Sequence, residues 1–154
     1  MTQLKLRAVW SLVIWSLVMA GLCIVFFMEG GADTFLDGEG RVTLTRVFIT
    51  VGFSAYFLLL ILTKRRSGTN APIKDERDEM IQKQALTAGF YVVIAYVFLF
   101  SVAMYAFYKV HSETVLMPVG WVWFLGLSSL ISGHMTIAAS TLILNGRMSG
   151  NVKR

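Results

Sequence analysis

Cysteine occurs once in this chain, proline twice and histidine twice, and charged residues make up only 15% of its 154 positions. The single thiol, Cys23, leaves no intrachain disulfide and no dithiol exchange. The four-helix thiol and quinone oxidoreductases, which work through cysteine pairs, are thereby excluded. His111 and His134 are too few to assemble a metal centre from several imidazole or carboxylate ligands, so no metal site is expected. Scarce charge has a wider consequence. With 56% hydrophobic residues and a mean hydropathy of +0.66, there is too little polar surface to coat a water-soluble globule of this size.

The apolar residues are concentrated in four stretches, roughly 8–28, 47–63, 85–107 and 119–144. About 20 residues rising 1.5 Å each cross the ~30 Å hydrocarbon core of a bilayer. The stretches are too uniformly apolar for amphipathic core helices, which interleave charge every few residues. The expected fold is therefore all-α, a polytopic four-transmembrane-helix bundle forming one membrane domain over 1–154. No Asp, Glu, Lys or Arg lies near the middle of any stretch, which argues against proton- or cation-coupled transport, since a coupling ion binds at depth. Small multidrug transporters match in length and helix number, but their membrane-embedded glutamate is missing. An oligomeric channel or small transporter stays open only as a third functional reading, because polar pore-lining stripes are absent.

Basic residues set the expected orientation, because they are retained on the cytoplasmic side during insertion. Lys5 and Arg7 precede the first stretch, Lys64, Arg65, Arg66, Lys74, Arg77 and Lys83 lie between the second and third, and Arg147, Lys153 and Arg154 follow the fourth. The other two connections hold Arg41, Arg46 and Lys109, and the first of them carries Glu29, Asp33, Asp37 and Glu39. Both termini and the loop 64–84 are thus expected in the cytoplasm. The basic pI of about 9.6 reads as this topogenic charge plus attraction to anionic headgroups. Nucleic acid is not an expected partner, since the basic residues fall in three short segments without interleaved aromatics. Lys5 and Arg7 resemble the start of a signal peptide, but the apolar run behind them exceeds a 7–15-residue signal core, and an uncleaved anchor is expected. Leu22 also spoils the lipoprotein-like box ending at Cys23.

Helix ends carry their usual markers. Trp10, and at the other end Phe26, Phe27, Tyr105, Phe107, Tyr108, Trp121 and Trp123, fall where interfacial aromatic belts belong. Pro118 stands at the start of the fourth helix, where its missing N–H costs nothing. The glycine- and aspartate-rich stretch from Glu29 to Arg41 reads as solvated turns without the ligand register of a calcium loop. Arg46 is expected to snorkel outward, within reach of Glu29.

Residues 75–84 (Asp-Glu-Arg-Asp-Glu-Met-Ile-Gln-Lys-Gln) favour a helix that Asp75 caps, with acids in its first turn and Glu79 four residues before Lys83. The third helix is therefore expected to begin in the cytoplasm near Asp75 and run unbroken to about Tyr108. The acidic-Arg-acidic stretch Asp75-Glu76-Arg77-Asp78, an apolar residue and then the third of four spans resemble a family of small bacterial and archaeal membrane proteins of unknown function. The resemblance covers Asp75 to about Ala88 and the general layout. It implies a structural or regulatory integral membrane protein, carries over no catalytic residue, and makes the cytoplasmic loop a contact surface for a small soluble regulator. The expected location is the bacterial plasma (inner) membrane, crossed four times.

Inside the membrane the one titratable histidine is His134, near the midpoint of the fourth stretch, with Leu130, Ile131, Ile137 and Ala138 as its helical neighbours. Matching depths across antiparallel spans brings Trp15, Ser16, Tyr56 and either Tyr91 or Tyr96 to its level, so a hydrogen-bonded layer is expected. His134, Tyr56 and Tyr96 are accordingly the residues that would line a haem, quinone or lipid site; bis-histidine haem would need a second His134 from another copy. Gly126, Ser129, Gly133, Thr136 and Ser140 form a small-residue seam on one face, suited either to packing inside the bundle or to a homodimer. Gly52 and Ala55, and Ala85, Ala88 and Gly89, are shorter versions. The leading functional expectation is a non-enzymatic accessory subunit or regulator, without a cofactor, acting through Asp75, Glu76, Arg77, Asp78 and Glu79 on a soluble partner or a membrane subunit. The alternative is ligand binding centred on His134.

Overall fold

The computed structural model describes residues 3–27, 31–32, 39–63, 76–111 and 117–151. Four helices account for nearly all of them: α1 (Gln3–Phe27), α2 (Glu39–Leu62), α3 (Glu76–His111) and α4 (Val119–Asn151). Each is long and apolar enough to cross a membrane. Among the described residues there is no strand.

Each helix covers its expected apolar stretch to within one residue and extends beyond it at one end or both. α1 and α2 begin several residues earlier than the apolar runs do, because charge and threonine are compatible with helix at a membrane surface. α3 is 36 residues long and continuous, with Glu76, Asp78 and Glu79 in its first turn, where carboxylates oppose the positive end of the helix dipole. Asp75, the expected cap, lies outside the described residues. His111 is the last residue of α3 rather than part of the following connection, and its side chain also lies outside the description. The Pro118 carbonyl accepts a 3.1 Å hydrogen bond from the Trp121 N–H, closing the first turn of α4.

The principal contacts join α1 to α2, α1 to α4 and α3 to α4. The helices therefore stand in the order α2–α1–α4–α3, with α1 and α4 at the centre and α2 and α3 each packed on one flank. Trp15, Val18, Leu22, Val25 and Phe26 of α1 meet Phe124 and Ile131 of α4 to form the core. From Phe90 to Lys109 no residue of α3 is buried. Such breadth of exposed Phe, Leu, Val and Tyr suits a lipid environment, in which apolar exposure costs nothing.

Small residues set the two flanking contacts. A Cβ at Gly52 would lie 2.5 Å from Val18 Cγ2, so α1 and α2 approach there to a distance only glycine allows. At the α3–α4 crossing a Cβ on Gly89 would lie 2.5 Å from Ile137 Cγ1 and 3.3 Å from the Gly133 carbonyl oxygen. Gly133 thus spends its place in the seam within the chain, whereas Gly126 has nothing near it.

Side chains join the helix ends. Arg7 donates from Nε to Thr63 Oγ1 at 2.8 Å and from Nη2 to the Thr63 carbonyl at 2.7 Å, tying the start of α1 to the end of α2. Arg77 Nη2 donates to the Asn145 carbonyl at 3.3 Å, placing a cation on the last turns of α4, where the dipole favours it. At the opposite end Trp121 Nε1 donates to Tyr108 Oη at 3.0 Å. Phe26, Phe100, Trp121 and Phe124 gather there around mutual ring contacts of 4.4–6.2 Å.

Candidate functional site

A cleft of about 200 Å³ opens near the end that carries the start of α1, the end of α2, the start of α3 and the end of α4. All four helices line it, each with residues three or four apart, hence on one face. α1 and α4 supply the floor, with Arg7 and Ser11 on the first and His134, Ile137 and Thr141 on the second. Tyr56 and Leu60 of α2 form one wall, and Gln82 and Leu86 of α3 the other. These walls stand apart because α2 and α3 are not packed on one another.

At the inner end the His134 ring stacks on Trp15, with centroids 4.7 Å apart and planes 9° from parallel. Tyr56 meets the same ring edge-on at 5.3 Å, and Phe53 meets Trp15 edge-on at 5.1 Å. Trp15 is fully buried and Ser11 is 6% exposed. Trp15 thus stacks along one face of the imidazole while Tyr56 meets it edge-on.

The expected layer is present in part. Trp15, Tyr56 and His134 do come together, through ring contact rather than a hydroxyl-to-imidazole hydrogen bond. Tyr96 does not join them: its hydroxyl lies 2.9 Å from Ser128 Oγ, six residues before His134 on α4 and so about 9 Å away along the axis. Tyr91 is 65% exposed on the outer face of α3.

The cleft gathers several polar side chains that have no hydrogen-bond partner. The hydroxyls of Thr87, Ser101, Ser128, Ser129 and Thr136, and of Thr141 at the cleft itself, donate to carbonyls three or four residues back on their own helix, whereas the buried Thr45 Oγ1 near the start of α2 has no partner. Among the described residues, Ser11, Tyr56, Gln82 and His134 have no side-chain hydrogen bond, and all four line the cleft. The fully buried Trp15 Nε1, behind the His134 ring, lacks a partner too. Ser11 and Trp15 are buried, Tyr56 and His134 are partly buried and Gln82 is exposed at the cleft wall; buried polar groups are almost always paired.

Charge is one-sided. Arg7 is the sole charged residue of the lining, and no carboxylate faces it among the described residues. Two of its five N–H donors are spent on Thr63, leaving three for the cleft. No three His, Cys, Asp or Glu side chains gather to hold a metal among the described residues.

The acidic start of α3 offers less than its sequence implies. Glu76 is exposed, Arg77 is turned onto α4, Asp78 is partly buried, and Glu79 lies 4.0 Å from Lys83 along its own helix. Residues 64–75, including Asp75 and most of the basic cluster, lie outside the described residues, as does Glu29, the expected partner of Arg46.

Sequence reading missed Arg7, Ser11 and Gln82. The signal was present for two of them: Arg7, Ser11 and Trp15 recur at i, i+4 and i+8, a polar stripe entering an apolar helix on the face that ends at the buried tryptophan. No protein-family model, no curated protein and no solved structure matches this chain.

Proposed function

We propose that the chain is a multi-pass integral membrane protein of the bacterial plasma membrane, with both termini in the cytoplasm, and that it works by holding a ligand non-covalently in the cleft around His134. It catalyses no reaction in this reading. The observation that carries it is the convergence of Ser11, Tyr56, Gln82 and His134, all without hydrogen-bond partners, on one cavity walled by Leu4, Leu60 and Leu86. Convergent polar groups in an otherwise apolar recess are the mark of a binding site. Size favours a slender occupant: about 200 Å³ lies below the ~300–1,000 Å³ of pockets that enclose a whole drug-sized molecule, so a lipid segment suits the cleft and a haem macrocycle does not.

Leu86→Trp tests the site. Leu86 is 58% exposed at the cleft wall, so the larger ring is accommodated without repacking the core and projects into the opening. Native mass spectrometry of protein released from a mild detergent is expected to find a small-molecule adduct on the parent chain and to lose most of it in the variant. A parent chain that flies without an adduct, or a variant that keeps its adduct in full, refutes the reading.

Orientation has its own check. In a Cys23→Ser background, single cysteines at Gln3 and Lys83 are expected to resist an impermeant maleimide in intact cells, and one at Met117 to react. The reverse labelling pattern overturns the topology.

A further inference from the structure

We infer that the occupant of the cleft is the anionic end of a membrane amphiphile, a carboxylate or phosphate carried on an acyl chain, and that Arg7 is its anchor. This rests on the ligand-binding reading above and adds to it the chemistry of the ligand.

Three observations converge. First, the lining carries a single charge, and it is positive. A partly buried guanidinium surrounded by Leu4, Ala8 and Leu60 has lost much of its water, and an anion restores what was lost. Second, the Arg7 fork is already oriented. Its bonds to Thr63 fix Nε and one hydrogen of Nη2, and leave Nη1 and the remaining hydrogen as paired donors, the arrangement that receives two oxygens of one anion. Ser11, one turn further on the same face of α1 and itself only 6% exposed, adds a hydroxyl with no partner, and Gln82 lines the opposite wall. Third, the depth is that of a headgroup. Arg7 lies one turn inside the start of α1, and its partner Thr63 directly follows α2.

The tail follows from the shape. A cavity of about 200 Å³ holds a headgroup and a few carbons, and α2 and α3 leave the opening between Leu60 and Leu86 unsealed. An acyl chain can therefore leave the cleft between two apolar walls and continue into the bilayer. Arg7 is thus more than a topogenic charge: Lys5, two residues earlier, is exposed, while Arg7 is turned inward onto Thr63 and the cleft.

The test uses the full chain in detergent or in nanodiscs of phosphatidylcholine, with radiolabelled palmitate and radiolabelled hexadecanol as probes of equal length and different charge. Palmitate is expected to bind the parent chain about tenfold or more tightly than hexadecanol, the loss that a missing charge-assisted pair implies. Arg7→Gln is expected to remove that preference, Arg7→Lys to keep part of it, and Lys5→Gln to leave it intact. Displacement of palmitate by phosphatidylglycerol identifies a phospholipid phosphate as the natural source, and failure to displace identifies a free carboxylate; both support the assignment. If palmitate and hexadecanol bind the parent chain equally and Leu86→Trp blocks both, the anionic assignment falls while the ligand cleft stands. If neither probe binds, or both bind Leu86→Trp as well as the parent, the cleft reading falls with it. The comparison of the two probes on the parent chain needs no variant to fold.

Discussion

Gly89→Leu is expected to detach α3 from the rest of the protein, with a loss of about 3 kcal/mol or more, the upper end of what overpacking a close contact costs. α3 takes its principal support from α4 alone, and the two helices come nearest where Gly89 faces Gly133 and Ile137. The first added carbon, at 2.5 Å from Ile137 Cγ1, already requires a small shift, because a β-branched side chain in a helix has one strongly preferred χ1 rotamer. The carbons beyond it meet the Gly133 backbone, whose oxygen lies 3.3 Å from the Cβ position and has no rotamer to change. Gly89→Ala is therefore expected to cost about 1 kcal/mol and the leucine several times more. Recovery of monodisperse protein by size exclusion and the thermal midpoint in detergent measure both. A leucine variant as stable as the alanine variant would show that α3 does not depend on this crossing.

Trp15→Ala carries the second large effect. Trp15 is fully buried and touches Phe53, Tyr56 and His134. In a water-soluble core, truncating such a residue costs about 3–5 kcal/mol, part of it transfer from water and part lost packing. In a bilayer the transfer share vanishes, because lipid tails are as apolar as the core, and the packing share, about 2 kcal/mol, remains. The same change frees His134 from its stack, so ligand retention is expected to fall together with the thermal midpoint. Trp15→Phe keeps a ring against the imidazole and is expected to recover most of both. Equal losses for alanine and phenylalanine would mean that a ring held against the imidazole contributes nothing and that only the full indole serves.

The four helices were legible because a bilayer imposes a length and a composition that any 20-residue window displays. The start of α3 was legible for another reason: Glu76, Asp78 and Glu79 complement a helix dipole whatever surrounds them. The order α2–α1–α4–α3 was not, since each apolar run meets the requirement of a span equally well and only pairwise fit at Gly52 and Gly89 decides which run meets which. Matching depths placed Trp15 and Tyr56 beside His134 correctly, because α1 packs on both α2 and α4 and Trp15 faces the two of them. The same reasoning misplaced Tyr96, for depth says nothing about azimuth, and the flank helix turns that hydroxyl to Ser128. Arg7 went unnoticed as a cleft residue because a basic residue before a span has a sufficient topogenic explanation. Arg77, expected to belong to a contact surface, is turned onto the Asn145 carbonyl of α4, a position that its place in the sequence does not reveal.

α2 and α3 are each gripped along a single flank, so in the membrane setting proposed above the surrounding acyl chains act on both without a counterbalancing helix behind them. Their separation is then governed by bilayer thickness and tension as much as by the protein's own contacts. A mechanical compliance of this kind follows from the row order itself. It makes the composition of the host membrane a determinant of how wide the molecule stands.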